Sequence, residues 1–446
     1  MQSWPTTDSI SALDGGATAP RAERTSASSR LLVVGRIGAV AVLAIGAYFA
    51  VREGVAGFYF EKNQPQKIEM AAKWDPGNPQ FPSALANLMR FYAENPNPAP
   101  IVALCERAVR LSPNNAHYWA DLGSAYDSAG RTIDALHALE RARQLFPNSP
   151  EINWMLANFY VRTGRPNASL PLLRNILLED GIDETQVFSL ATRATNDAEL
   201  VISGVLPAQA PFLEDYFDFL VTSNNLDGAQ KVWERLVESN QPFELYRSLS
   251  YVNALIQKPD VEGASRVWSQ LIARFPVAMK PRVSPHNLVI NGDFALPILN
   301  SGFDWRVYPV EGATVSVDPA NSDMSGSLQI VFDGSRNLDY AHVLQFVRVE
   351  PRTRYRFEGQ IRAEGITTDS GARFQVLDAN DMAHLFVSSE NRIGTSDWWM
   401  EKGDFETGPK TRLLIVRVAR PASGKIDNHI AGSVWIRHIS ISAEPG

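Results

Sequence analysis

Cysteine is almost absent: Cys105 is the only one in 446 residues. A lone thiol forms no intramolecular disulfide and no cysteine-based zinc site. Positive charge is scarce too. With 42 Lys and Arg against 49 Asp and Glu, the formal charge is −7, which leaves no basic field to draw phosphates and excludes general nucleic-acid binding. A polymer partner is therefore expected to be neutral, or else a protein. Catalytic signatures are missing as well. The seven histidines, His117, His137, His286, His342, His384, His429 and His438, show no H-E-x-x-H spacing. There is also no strand-turn-helix nucleophile motif, Walker motif or dinucleotide fingerprint. Two carboxylates suffice for a glycosidase, so an acidic pair stays open on sequence. The expectation is a binding protein and not an enzyme, with no catalytic residue, no cofactor and no metal.

One long apolar run is present. Leu31 to Val51 spans 21 residues with a single charge, Arg36, and no proline, close to the ~20 residues that carry a helix across a bilayer. Tyr48, Phe49, Phe58, Tyr59 and Phe60 suit the opposite interface. Residues 1–30 are rich in Ser, Thr, Ala and Gly, the composition of a disordered tail. Arg21, Arg24 and Arg30 favour keeping that tail in the cytoplasm, although Arg52, Lys62 and Lys67 on the far side blunt the asymmetry. A single-pass anchor in the cytoplasmic (inner) membrane, with the body outside the cytoplasm, is the expectation. A cleaved signal peptide is the competing reading, but the head is long and no cleavage site is clear.

Between residues 116 and 149 a 34-residue unit carries Trp119, Leu122, Gly123, Tyr126, Gly130, Ala135, Leu139, Ala142 and Pro147. Stepping back 34 residues gives Leu85, Leu88, Tyr92, Ala108 and Pro113; stepping forward gives Leu156, Ala157, Tyr160, Gly164 and Leu173. This pattern resembles the tetratricopeptide repeat (TPR). Small residues such as Gly123 and Ala142 let two antiparallel helices approach, and proline closes each unit. Cys105 falls where such a repeat needs a small apolar side chain, the place of a buried, inert thiol. Residues 68–78 look like the second helix of a preceding half repeat. Repeats are expected over 65–180 and degenerate helix pairs over 181–278, where LDGAQKVWERL and VEGASRVWSQL recur at a 35-residue offset. The resemblance implies a superhelical solenoid with a groove for a protein partner. Its polar lining candidates, on the first helix of each pair, are Asn87, Arg90, Asp121, Ser124, Asn153 and Asn158.

From Pro276 to Pro285 the helical pattern gives way, and a boundary is expected near residue 283. TRYRFEGQIRA then places Tyr355, Phe357 and Ile361 on one face and Arg354, Arg356, Glu358 and Arg362 on the other, the period of a half-buried strand. Similar runs at LQIVFD, HVLQFVRVEP, ARFQVLD, RLLIVRV and SVWIRHISIS predict an all-β jelly-roll sandwich over 284–443. NLVINGDFALPILNSGFDWRV, VEPRTRYRFEGQIRA, DWWMEKGDFET and GSVWIRHISIS, in that order, resemble the galactose-binding-like carbohydrate-binding modules. That resemblance implies sugar recognition by aromatic faces. Trp398 and Trp399, adjacent and hence on opposite faces of a strand, are the first candidates, with Trp305, Tyr308 and Tyr340 behind them. The family's closing strand reads W-x-D-D-V and helps hold calcium. Here Trp435, Ile436, Arg437, His438 and Ile439 replace the two carboxylates by a cation and an imidazole, which puts the family's metal in doubt.

The fold class is thus multi-domain: a transmembrane helix, an all-α TPR-like superhelical solenoid and a C-terminal all-β jelly-roll sandwich. Its function is expected to be that of a bacterial, membrane-anchored interaction scaffold in envelope polysaccharide assembly or export, with a glycan-binding sandwich. A purely protein–protein scaffold of a secretion or assembly complex stays open beside it. Fusions of alkaline phosphatase after residue 60 and at the C-terminus are expected to be active; inactivity at both positions would put the body in the cytoplasm.

Overall fold

The computed structural model describes residues 25–92, 97–179, 181–208, 210–239, 243–279, 287–318 and 326–444. Most of the tail expected to be disordered, and the boundary expected near residue 283, lie outside the described residues. The chain divides into two compact units, residues 1–156 and 157–446.

The first unit is helical. It comprises α1 (Thr25–Phe60), α2 (Pro65–Trp74), α3 (Gln80–Tyr92), α4 (Pro98–Leu111), α5 (Ala116–Ser128), α6 (Thr132–Leu145) and the start of α7 (Pro150–Arg162). Sequence punctuation explains the boundaries. The side chains of Asn97 and Asn115 accept hydrogen bonds from the N–H groups of Ala99 and His117 and so cap α4 and α5. Proline occupies the first turn of α2 and α4, where its missing N–H costs nothing. The small residues do what the repeat spacing implied. A Cβ on Gly123 would stand 2.6 Å from Cγ of Leu139 on the facing helix, a distance that only a bare backbone allows.

Helix α1 is longer than the apolar run, and its ends have different surroundings. From Val33 to Val51 its large apolar side chains are exposed, and the stretch Val33–Phe60 is long and apolar enough to cross a membrane by length and composition. The last turns behave differently. Ala56 is buried with Ile68, Ala71 and Phe81, Tyr59 and Phe60 pack on the same cluster, and the Phe60 and Phe81 rings are 5.2 Å apart. Arg52 reaches Asp75 at 2.7 Å. The expected half repeat is therefore complete, because the end of α1 serves as its first helix. Of the aromatic residues expected at a membrane interface, Tyr59 and Phe60 instead pack against protein.

The second unit begins with helices in the same paired style. After the end of α7 come α8 (Pro166–Leu177), α9 (Glu184–Ala194), α10 (Ala198–Gly204), α11 (Ala210–Thr222), α12 (Leu226–Glu238), α13 (Leu245–Gln257), α14 (Val261–Arg274) and a short α15 (Pro276–Met279), in a segment expected to hold no helix. The 35-residue echo has a physical basis. Asn225 and Asp260 cap α12 and α14 by accepting from the N–H groups of Gly228 and Gly263 at 3.1 and 2.9 Å. Trp233 and Trp268, at matched positions, are both buried.

Among the described residues ten strands follow: β1 (Arg306–Val307), β2 (Ala313–Asp318), β3 (Ser327–Asp333), β4 (Tyr340–Arg348), β5 (Arg354–Ile366), β6 (Arg373–Asp378), β7 (Leu385–Ser388), β8 (Gly394–Glu406), β9 (Leu413–Arg420) and β10 (Ala431–Ala443). They form two antiparallel five-stranded sheets, in the orders β1-β4-β9-β6-β7 and β2-β3-β10-β5-β8, the jelly-roll layout. Alternate residues fill the space between them, among them Tyr355, Phe357, Ile361, Phe374, Val416 and Val434. The N-G-D-F segment is a structural clasp. Ile439 N–H donates to the Gly292 carbonyl at 3.1 Å, and a Cβ on Gly292 would meet the Ile439 carbonyl at 2.1 Å. Fully buried Arg420 donates to the carbonyls of Ser370, Leu338 and Asn428 and to the side chains of Asn337 and Thr368, tying three loops to the end of β9.

Helices and sandwich of this unit meet at Asn253 on α13. Its Nδ2 donates to Ser301 Oγ at 2.7 Å, while its Oδ1 accepts from Gly302 N and from Arg306 Nη2, both at 2.7 Å. Trp268 sets its ring edge-on to Phe303 at 5.7 Å, and Glu262 lies 3.4 Å from both Arg348 and Arg412.

The repeat register is tested at its tightest point. Gly123→Leu is expected to cost about 1–3 kcal/mol or more through overpacking against Leu139, read as a lower midpoint in thermal or denaturant unfolding. An unchanged midpoint would refute the α5–α6 packing.

Candidate functional site

The polar candidates of the helical groove separate by place. Asn87 and Arg90 lie on α3 and Asp121 on α5, and the structure brings the three together. Arg90 Nη2 donates to Asn87 Oδ1 at 3.2 Å and reaches Asp121 Oδ1 at 3.5 Å; Ser83 Oγ and Asn87 Nδ2 reach Asp121 Oδ2 at 3.4 and 3.5 Å. Burial pushes the Asp121 carboxyl above the usual carboxylate range, against the pull of Arg90 and of the Asn87 and Ser83 hydrogen bonds. Long bonds around a desolvated carboxylate leave room for a stronger donor from a partner. Ser124 lies half-buried one turn further along α5. Asn153 is different: it is buried, and its Nδ2 donates to the Pro147 carbonyl at 2.9 Å, so it closes the α6–α7 turn and lines no groove. Asn158, half-buried on α7, belongs to the second unit. The Cys105 thiol is pushed up to about 12 by burial, which makes it a poor nucleophile.

In the sandwich, two of the five aromatic candidates are core residues. Trp305 is fully buried against Phe294 at 5.2 Å, with Nε1 donating to the Asn291 carbonyl at 3.2 Å. Tyr340 is fully buried edge-on to Phe332 at 5.4 Å. Neither presents a face to a ligand, because each points between the sheets. Trp398 and Trp399 do point to opposite sides, but neither is packed in the core. Trp399 pairs with Ile361 at the edge strand β8 and is 56% exposed, with the Arg392 guanidinium over its ring at 5.2 Å. Trp398, on the outer face of the second sheet, lies half-buried under Arg437 at 4.1 Å. Tyr308, beside β1, is 45% exposed.

The residues missed on sequence stand on the outer face of the other sheet. Phe374, Val376, Val416 and Val418 of β6 and β9 belong to the inter-sheet core, so the alternating Arg373, Gln375 and Arg417 point outward. Their floor is apolar: Leu377, Leu413, Ile415 and Ala419, on the same face, are buried. Arg417 donates through Nε and Nη2 to Gln375 Oε1 at 2.9 and 2.8 Å. Arg373 Nε is shielded from solvent and has no hydrogen-bond partner among the described residues. Burial holds both guanidiniums below the usual arginine range; for Arg417 the carboxylate of Asp339 opposes it. The signal was legible in principle, since alternation in ARFQVLD and RLLIVRV already put these three opposite the core. The expectation of a neutral polymer came from the overall charge, whereas this hollow carries two cations.

The imidazole of the closing strand pairs with an acidic side chain. A register break in β10 between Arg437 and Ser440 turns His438 (φ 50°) outward, and its Nδ1 meets Asp293 Oδ1 at 2.6 Å. Among the described residues no three of His, Cys, Asp and Glu are grouped to hold a metal. With an imidazole on the one acidic side chain available, millimolar calcium is expected to leave the melting temperature unchanged. A rise of several degrees would reveal a metal site by linkage.

Residues 128–194 match a family model described as tetratricopeptide repeat. Among solved structures, the chain is similar to a CBM4 domain at 15% identity, covering 35% of this chain and 99% of that one with a TM-score of 0.28. It is similar to PilF of Pseudomonas aeruginosa at 14% identity, covering 53% and 95%, TM-score 0.26. It is also similar to YrrB, a TPR protein with an unusual peptide-binding site, at 17% identity, covering 48% and 96%, TM-score 0.25. This chain carries a segment that matches the tetratricopeptide-repeat model, followed by a sandwich of two five-stranded antiparallel sheets.

Proposed function

We propose that the protein is a non-catalytic, membrane-anchored scaffold of the cell envelope, serving polysaccharide assembly or export. Its helical pairs hold a protein partner, and its sandwich holds a glycan on the outer face of β6 and β9. The observation that carries the glycan half is the cluster of Arg373, Gln375 and Arg417 on that face: half-buried polar side chains over a buried apolar layer, with Arg373 Nε unpaired among the described residues. Residues around Asp121 carry the protein-binding half.

The anchor reading is supported by α1. Cleavage just after the apolar run would remove the stretch that leads into Arg52, Ala56 and Phe60, which cover α2 and α3. A retained helix keeps that packing whole and leaves its exposed apolar surface for the bilayer.

A docking role for the sandwich is the second reading, and one feature favours it. On the outer face of the second sheet, Arg362 lies over Trp435 at 4.8 Å and Arg437 over Trp398 at 4.1 Å, the residue types that dominate protein interfaces.

The full chain in detergent, applied to an array of bacterial polysaccharides, is expected to bind at least one member. Gln375→Ala is expected to weaken that binding about tenfold, or about 1.4 kcal/mol, while Trp398→Ala leaves it unchanged. Binding that survives Gln375→Ala, or no binding at all, would favour the docking role.

A further inference from the structure

The charge of the hollow defines its ligand further. Arg373 and Arg417 stand on neighbouring strands, with Arg417 paired to Gln375 and Arg373 two residues before it. That diagonal separates their Cβ atoms by roughly 7–8 Å, within reach of long side chains. Among the described residues neither forms an ion pair: Arg417 spends Nε and Nη2 on a neutral amide, and Arg373 Nε has no partner. Both half-buried guanidiniums lose hydration, and only Arg417 has a carboxylate, that of Asp339, to offset the cost, so an arriving anion would relieve Arg373 most. In a chain with a formal charge of −7, a cationic hollow is a local device and no reflection of the whole. The guanidinium fork fits a carboxylate in its plane with two parallel hydrogen bonds, which an ammonium could not supply. Arg417 keeps Nη1 for this purpose, and Arg373 keeps its two Nη groups, its Nε being shielded. Leu377, Ile415 and Ala419 beneath the two arginines are buried and keep the surroundings of their guanidiniums apolar, which strengthens an ion pair made there.

We propose that the outer face of β6 and β9 binds an acidic polysaccharide, with a uronic-acid carboxylate held between Arg373 and Arg417. This inference rests on the glycan reading of the same hollow. Charge then selects the polymer, and Gln375 holds Arg417 in position while leaving its free edge to the sugar.

The test uses the full chain in detergent against alginate, polygalacturonate and hyaluronan, each beside its carboxyl-reduced, neutral counterpart. At least one acidic polymer is expected to bind, to lose at least tenfold in affinity on carboxyl reduction, and to weaken as salt rises from 50 to 200 mM. Arg373→Gln is expected to lose a similar factor with no fall in melting temperature, since Arg373 forms no ion pair among the described residues that the change would forfeit. Equal binding of parent and reduced polymers, or full binding by Arg373→Gln, overturns the acidic assignment while leaving the glycan reading in place. Competition by acetate as effective as by uronate oligomers overturns the sugar assignment. Absence of binding to every acidic and neutral polymer removes both.

Discussion

Helix pairs in this chain stand only as far apart as their small residues allow, and that spacing governs the helical architecture. Gly123 over Leu139 is the tightest case; Ala135, Ala138 and Ala142 continue the same seam and are buried. Close approach lets short side chains fill a layer that a lone helix could not cover, so each pair needs its neighbours. The first-helix faces then carry polar groups such as Asp121, Asn87 and Arg90.

A different constraint holds the second unit. Asn253 uses both ends of its amide, one on Ser301 and the other on Gly302 and Arg306. Arg306 in turn lies over Phe346 at 4.7 Å. A buried arginine with a polar clamp and an aromatic floor cannot leave its place without exposing unpaired donors. The sandwich is therefore fixed to α13 and α14 through its β1 edge, and the strands further across that sheet, β9 and β6, carry the cationic hollow.

The sequence was readable where one periodicity acted alone. The repeats over 116–149 and the strands β3, β4, β5, β6, β9 and β10 follow from spacing, because burial of one face imposes it, whereas β8 was marked only by the resemblance. Strands β1, β2 and β7 are too short or too polar to show a pattern, and they exist through pairing with longer neighbours. Aromatic candidates misled for a related reason: Trp305 and Tyr340 look like ligand platforms in one dimension, and only the sheet pairing turns them inward. The cationic hollow was overlooked because two arginines on separate strands become neighbours through pairing of β6 with β9. The end of α1 was hidden by its apolar character, since Ala56 and Phe60 read equally well as membrane or as core.

Helix α1 passes from its exposed apolar stretch into the first helical pair without a break. A continuous helix resists twisting, so the azimuth of the first pair is locked to that of the apolar stretch. Each residue of helix advances about 100° around the axis. One residue added between Val51 and Ala56 would swing the helical pairs of the first unit by more than a quarter turn against whatever surface receives α1. The phase of a single helix thus aims the groove, as a compass bearing set before the repeats begin.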